Sequence, residues 1–324
     1  MTEVISLGLW FSEKICVDYM HSFRVSELLF RKKSKYQLIE VIKHEVFGKI
    51  LFLDGKPQVT EFDEWIYHES LVHPPMILHG SPKDVLIIGG GDGGALREVL
   101  KHPTVKNIVL VDLDPEVMNV VRKYLPEIPG GAFDDSRVKI IHEDGRKYVE
   151  NTDSKFDVII VDVTDPCSGI ASKLFTKEFY KVCKNSLRED GVIVTQAESV
   201  NFSHLYFEIS FPTICRTIKE EFKNVHPYQA FVPSFASCWG FVLASNAHSV
   251  KELNKEHVET RLKDIKTKFL NPMAFASLFS LPKNVLENID RYGKVISDRK
   301  AELLLKKLKK THKLAQKINF DKLI

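Results

Sequence analysis

The chain has few features that would tie it together covalently or hold it in a bilayer. Its five cysteines, at positions 16, 167, 183, 215 and 238, are odd in number and include no C-x-x-C pair. Neither a disulfide framework nor a zinc site is offered, and a reducing compartment fits best. No stretch approaches the roughly 18 apolar residues of a membrane span. The N-terminus lacks a basic stretch followed by an apolar core, so a cytoplasmic protein without a membrane partner is expected. Net charge is scarce as well: 46 Lys and Arg against 43 Asp and Glu leave +3. That is too little to call for nucleic acid as a partner of the whole molecule. Repeats and low-complexity segments are missing except for a basic tail, where eight Lys or Arg residues between Arg299 and Lys317 interleave with Leu303, Leu304, Leu305, Leu308 and Leu314. The tail reads as a docked helix with a solvated face, or as a helix for a membrane surface or nucleic acid. The remainder, 44% hydrophobic and 27% charged, is ordinary for a globular protein of one large domain or a large and a small one.

From about Arg24 to Thr60 the pattern is of short antiparallel strands, Arg24 to Arg31, Tyr36 to Lys43 and Lys49 to Leu53, with turns at Phe47-Gly48 and Asp54-Gly55. Helical spacing runs from Glu64 to His79. After Pro82 strand-like and helix-like segments alternate from Val85 to Gln196, and a further strand-like pair follows around Phe231 to Ala244. Alternation of this kind predicts an α/β fold, a parallel sheet covered by helices on both faces.

The most informative stretch is Asp84-Val-Leu-Ile-Ile-Gly-Gly-Gly-Asp-Gly-Gly-Ala-Leu-Arg-Glu98, an apolar strand running into five glycines around one aspartate. Gly89, Gly91 and Gly94 satisfy the G-x-G-x-x-G spacing of dinucleotide folds, which brings a NAD-dependent dehydrogenase into consideration. Asp92 argues against it, because a carboxylate there repels a pyrophosphate and attracts a cation. Acids also stand at the ends of the later strands: Asp112 and Asp114, then Asp144, then Asp162 and Asp165. Ligands of open α/β sheets sit beyond those strand ends. Asp112, 18 residues past Gly94, is placed to accept from ribose hydroxyls, and Asp144-Gly145 to sit over the base. Each acid alone is equally a helix N-cap or turn former; five at corresponding positions point to a site for a cationic nucleoside.

Ile88-Gly-Gly-Gly-Asp-Gly-Gly94, Leu96-Arg-Glu-Val-Leu-Lys-His102, Leu53-Asp-Gly-Lys-Pro-Gln58, Asp63-Glu-Trp-Ile-Tyr-His-Glu69 and Asp162-Val-Thr-Asp-Pro166, in that set, resemble the spermidine synthase family of polyamine aminopropyltransferases over roughly Lys35 to Ser245. The resemblance implies a doubly wound, Rossmann-like sheet of the S-adenosylmethionine methyltransferase type, preceded by a small antiparallel β domain. It implies residues 1–75 as that β domain, serving oligomerisation and part of the active site, 76–295 as the catalytic domain and 296–324 as the basic helical tail. A homodimer or homotetramer, no cofactor and no metal are expected, with decarboxylated S-adenosylmethionine as co-substrate. Carried over by resemblance, Gln37, Gln58 and Asp92 surround the aminopropyl and methylthio end, Gly89 and Gly91 carry the donor, Asp112 binds ribose, and Asp144 with Gly145 lies near adenine. Asp162 is the candidate base, aided by Tyr67, and Asp165 holds the amine in line. His68 either contacts the amine or caps locally, and Glu198 faces a distal ammonium.

Two segments depart from the family's pattern. The loop Asp165-Pro-Cys-Ser-Gly-Ile-Ala171 is one residue longer than Asp-Pro-x-Gly-Pro-Ala, and Phe235 stands where the family carries a tyrosine that helps hold a diamine. Phe235 and Trp239 read equally as core aromatics on a strand or as the wall of a tunnel for a longer amine. The form Val-Pro-Ser-Phe-Ala-x-x-Trp-Gly is similar to the thermospermine synthase branch and to enzymes acting on agmatine or triamines. A polyamine N-methyltransferase on the same scaffold and a non-catalytic relative are the competing expectations.

Overall fold

The computed structural model of the chain describes residues 8–15, 19–166, 169–201 and 203–315. Short strands come first: β1 (Trp10–Lys14) and β2 (Met20–Arg24) form an antiparallel hairpin, and β3 (Glu27–Lys33), β4 (Leu38–His44), β5 (Gly48–Leu53) and β6 (Lys56–Thr60) form an antiparallel sheet in that order. Alternation sets its two faces. Ile39, Val41, Leu51, Leu53 and Val59 point one way into an apolar cluster, while Ile42, Ile50 and Phe52 meet Phe23 and Phe11 of the hairpin on the other.

Helix α1 (Glu64–His79) is buried nearly all round, and its Tyr67, Leu71, Val72, Met76 and Ile77 belong to the core of the large sheet. The change of architecture therefore lies between Thr60 and Glu64, and the boundary expected at residue 75 cuts through this helix. Next come β7 (Asp84–Gly89), α2 (Gly94–Leu100), β8 (Asn107–Asp112), α3 (Pro115–Tyr124), β9 (Val138–His142), α4 (Gly145–Asn151), β10 (Phe156–Asp162), α5 (Lys177–Ser186) and β11 (Leu187–Ser199). A short α6 (Ser203–Tyr206), α7 (Phe211–Lys219), β12 (Asn224–Val232) and β13 (Ser237–Ser245) complete the sheet, whose strand order is β12-β13-β11-β10-β7-β8-β9. Strands β9, β8, β7, β10 and β11 run parallel, and β13 and β12 are added antiparallel at one edge. The central strands are near-continuous apolar runs such as Val85-Leu-Ile-Ile88 and Val158-Ile-Ile-Val161, all buried, as a sheet covered on both faces requires.

The small sheet is fixed to the large one through α3. Val117, Val120 and Val121 pack on Ile39, Val41 and Leu51. Burying these chains, at about 2 kcal/mol each for a Val or Leu, holds the small sheet to α3, whose Met118 packs in the core of the large sheet. Helices α8 (Lys255–Leu262), α9 (Pro272–Leu278), α10 (Lys283–Tyr292) and α11 (Asp298–Ala315) follow. The tail helix is docked at its start: Asp298 takes a bidentate pair from Arg146 at 2.6 and 2.7 Å, and Ala301 is buried. Residues 316–324 lie outside the described residues, as do Cys16 and Cys167. Cys183, Cys215 and Cys238 are free thiols. No helix among the described residues is long and apolar enough to cross a membrane.

Candidate active site

The sheet changes its direction of growth at β7, with β8 and β9 on one side and β10 and β11 on the other. A crevice opens beyond the strand ends at such a point, and a cavity of about 520 Å³ occupies it. The large sheet lines it with Gly89 to Asp92, Asp112 to Asp114, Asp144, Gly145 and Asp162 to Asp165. The small β unit adds Glu13, His21, Gln37, Lys56 and Gln58, and Tyr67, Glu198, Phe235 and Trp239 complete the wall.

The glycine loop is tied to the fourth parallel strand. Gly90 donates a 2.8 Å backbone bond to the carbonyl of Asp162, and Gly89, at φ +84°, lies so close that a Cβ would collide with that oxygen. Asp92 and Asp162 thereby share one end of the cavity. Asp162 Oδ1 accepts a 2.7 Å hydrogen bond from the Tyr67 hydroxyl, whereas Oδ2 is buried with no hydrogen-bond partner. Burial, with the Asp92 charge beside it, pushes the Asp162 carboxyl up to about 6; His68 and the Tyr67 bond oppose the rise. Burial likewise lifts Asp112 to about 6. Asp92 goes the other way: burial would raise it, but the His68 charge and the Gly94 N–H bonded to Oδ1 at 2.8 Å outweigh burial and hold it below the ordinary range.

Two strand-end acids also do local work. Asp144 Oδ1 caps α4 through the N–H groups of Arg146 and Lys147. Asp114 caps α3, and its Oδ2 accepts from Ser34 at 2.6 Å and Gln37 Nε2 at 3.1 Å. Gln37 is thus held in the wall by one of the strand-end acids. Gln58 Nε2 donates to the carbonyl of Lys56.

The far end of the cavity is acidic around one lysine. Lys56 Nζ sits 2.5 Å from Asp165 Oδ2. Glu198, at φ +69°, is buried, and burial with the Asp165 charge raises its carboxyl well above the usual range. Glu13 is raised to about 7 by burial and the same charge, with Lys56 opposing. Aromatic rings pack behind them: Phe235 to Trp239 at 4.8 Å and to Tyr67 at 5.9 Å.

Of the residues expected at the site, only His68 does not reach the wall. It is fully buried, with Nδ1 2.8 Å from Glu64 and Nε2 3.4 Å from Asp92, and so stands behind Asp92. Residues not anticipated are Glu13 and His21 of the hairpin and Lys56. Only Lys56 gave a signal, as the cation inside the quoted Leu53-Asp-Gly-Lys-Pro-Gln58. Cys167 and Ser168 of the lengthened loop lie outside the described residues. Two groups have metal-compatible spacing, His68 with Asp92 and Asp162, and His79 with Asp157 and Asp190. The first already pairs acids with a histidine, and in the second Arg188 Nε lies 3.0 Å from Asp157.

Residues 64–254 match the model of the spermine/spermidine synthase domain, and residues 9–61 that of the spermidine synthase tetramerisation domain. A polyamine aminopropyltransferase of Korarchaeum cryptofilum is 46% identical over 249 residues, 76% of each chain, and one of Aeropyrum pernix is 41% identical over 289 residues, 87% of this chain and 91% of that one. Among solved structures, the spermidine synthase of Thermotoga maritima superposes with a TM-score of 0.81 at 34% identity, covering 88% of this chain and 96% of that one. A spermidine synthase in complex with the transition state analogue AdoDATO gives 0.82 at 35% identity over the same shares.

Proposed function

The chain belongs to the spermine/spermidine synthase family, and on that premise we propose that it is an aminopropyltransferase moving the aminopropyl group of decarboxylated S-adenosylmethionine to a polyamine. The observation that carries the reading is Asp162: a buried carboxylate with one oxygen fixed by Tyr67 and the other unpartnered, in the same cavity as Asp92. The donor bears a sulfonium and an ammonium and no carboxylate, so Asp92 is its counter-charge, with Gln37 and Gln58 near the same end. Asp112 is proposed for the ribose and Asp144 for the base, with Gly89, Gly91 and Gly145 leaving room for the nucleoside.

The acceptor amine, with a pKa of about 10.4 in water, arrives protonated. An ordinary Asp near 3.9 would take that proton at a penalty of about 9 kcal/mol, and one at about 6 at a penalty of about 6 kcal/mol. Desolvation and the nearby sulfonium lower the amine's own pKa and close the remainder. Asp162 takes the proton, and the nitrogen lone pair attacks the carbon next to sulfur. A C–N bond forms, the C–S bond breaks with its electrons going to sulfur, and neutral 5′-methylthioadenosine leaves. Asp165 aligns the amine.

For the acceptor we favour a triamine or another long amine. Phe235 supplies no hydroxyl for a short diamine, and the cavity continues to Glu198 and Glu13, two further acids for distal ammonium groups. The test offers the purified protein decarboxylated S-adenosylmethionine and, separately, S-adenosylmethionine, with putrescine, agmatine, cadaverine and spermidine. Methylthioadenosine from the first donor supports the reading, and a clear preference for putrescine sinks the long acceptor. S-adenosylhomocysteine from the second donor would make the protein a methyltransferase, and donor binding without turnover on any amine a non-catalytic relative. Assembly into a homodimer or homotetramer through residues 9–61 would cover the exposed Trp10, Met20, Leu28 and Val46, and light scattering on the eluted protein measures it.

A further inference from the structure

Glu64 and His68 lie four residues apart on α1, on one face of the helix. Arg97 of α2 grips Glu64 through its two terminal guanidinium nitrogens, at 2.9 and 2.8 Å. Glu64 in turn holds His68 Nδ1 at 2.8 Å, and the opposite ring nitrogen faces Asp92 Oδ1 at 3.4 Å. The ring lies over Gly94, where a Cβ would fall inside it, so this glycine of the G-x-G-x-x-G pattern is required for the histidine to be there at all. The ring nitrogen toward Asp92 has no hydrogen-bond partner and is out of reach of water.

We propose that His68 is a positioning residue for the donor site, a buried imidazolium held between Glu64 and Asp92 that keeps Asp92 ionised and fixed for a cationic donor. The case rests on the proposed function for the charge of that donor. Three carboxylates, those of Asp92, Asp112 and Asp162, line one end of the cavity, and like charges this close and this buried do not all stay ionised unaided. One of them has a cation at its back. Glu64 already has Arg97 and Asp92 has the Gly94 N–H, but an imidazolium presents an N–H to each acid, whereas a neutral ring has a single N–H and turns a lone pair toward one of them. The charged and titratable groups facing the ring are Glu64 and Tyr67 on its own helix, Asp92 on the glycine loop, Arg97 on α2 behind Glu64 and Asp162 on β10. The two anions in direct contact favour the protonated ring, whose pKa rises to about 10 even though burial, the largest influence, works against it. A division of roles follows, with Asp92 kept as an anion for the donor and Asp162 left as the acid that titrates and takes the amine's proton.

The test is His68→Gln, which keeps polar atoms in the cleft and removes the charge. Decarboxylated S-adenosylmethionine and 5′-methylthioadenosine, the uncharged nucleoside counterpart, are titrated calorimetrically near pH 5.5 and near pH 8.5. If His68 acts as proposed, the variant binds the charged donor about tenfold more weakly near pH 5.5, one unit of pKa on Asp92, and within about threefold of wild type near pH 8.5, where Asp92 ionises unaided. Methylthioadenosine binding stays within about twofold throughout. Equal losses for both ligands, or a donor affinity unchanged near pH 5.5, would overturn the proposal. Should the variant not fold, nitrogen NMR of the wild-type ring decides independently: both ring nitrogens protonated at pH 8 support the proposal and a neutral ring refutes it. A wild type that does not prefer the charged donor near pH 8.5 would instead refute the functional reading, and the NMR result separates the two failures.

Discussion

The Tyr67 hydroxyl donates 2.7 Å to Oδ1 of Asp162 across 95 residues of sequence, joining a helix that precedes the large sheet to the end of its fourth parallel strand. The other carboxylate oxygen is buried without a hydrogen-bond partner, and it is the one proposed to take the substrate proton. Asp162→Asn should lower kcat by about 10² to 10⁴ with the fold intact, the range for removal of a general base. Tyr67→Phe should cost less and move the acidic limb of the rate profile upward, because the lost bond was holding the Asp162 pKa down. An acidic limb that stays in place in Tyr67→Phe would show that the bond does not act on the base.

The same carboxylate makes the wild type pH-sensitive in two opposite ways. Only ionised Asp162 accepts a proton, so kcat should climb as pH rises through about 6. Stability runs the other way: a carboxyl raised above its unfolded value favours folding most below the unfolded pKa and loses that contribution as pH rises through the folded one. Between an ordinary aspartate's 3.8 and about 6 the wild type should lose up to about 3 kcal/mol relative to Asp162→Asn. Thermal melting should therefore find the variant more stable than wild type at pH 7.5 and no more stable near pH 4. Equal melting temperatures at pH 7.5 would contradict a buried, charged Asp162.

How far the sequence showed all this depended on whether the cause was local. Helix α1 begins and ends at Glu64 and His79 as its periodicity predicts, and the glycine loop and strand-end acids converge on one cavity because strand ends of a parallel sheet must. The hairpin β1–β2 was not visible, since its strands of five residues bury only Phe23 fully and their cover is lent by Phe52 of another sheet and Phe47 of that sheet's β4–β5 turn. With the hairpin went Glu13 and His21. His68 was half legible: its spacing from Glu64 announces a helical pair, but Asp92, which completes the contact, arrives only through tertiary folding. Lys56 stands inside the motif Leu53-Asp-Gly-Lys-Pro-Gln58, but its partner Asp165 is 109 residues away and no local pattern pairs the two.

That lysine predicts a kinetic effect. Its ammonium holds the acid proposed to align the acceptor, so an incoming amine has to compete with it. The pair is partly solvated and contributes about 1 kcal/mol or less. Lys56→Met should lower KM for the polyamine about threefold to fivefold, the equivalent of that energy, while KM for the donor stays put. Initial-rate measurements with each substrate varied in turn distinguish this from a general disturbance, which would raise both constants.

Stability away from the cavity depends on Glu69, whose fully buried carboxylate accepts the N–H groups of Lys268, Phe269 and Leu270 at 2.6, 2.9 and 2.8 Å. The residue ties α1 to the segment leading into α9. Glu69→Ala leaves three amides without an acceptor and opens a small void, at an expected penalty of about 3 kcal/mol or more in urea unfolding. Glu69→Gln keeps an acceptor oxygen and should lose less. Variants equal in stability would mean that solvent reaches those amides.

Phe235 decides the last prediction because its neighbours fix what a hydroxyl there could do. The ring packs 4.8 Å from Trp239 and 5.9 Å from Tyr67, and it lines the cavity that also holds Asp162 and Asp165. Phe235→Tyr adds one hydroxyl to this aromatic wall without changing the ring. A hydroxyl able to accept from an ammonium favours a substrate whose second charge ends near it, and such a contact to a charged group is worth about 1.5 to 3 kcal/mol. The ratio of kcat/KM for putrescine over spermidine should therefore rise by about tenfold or more in the variant. A ratio unchanged within twofold would place acceptor selection elsewhere, at Glu198 and Glu13 beyond the Lys56–Asp165 pair.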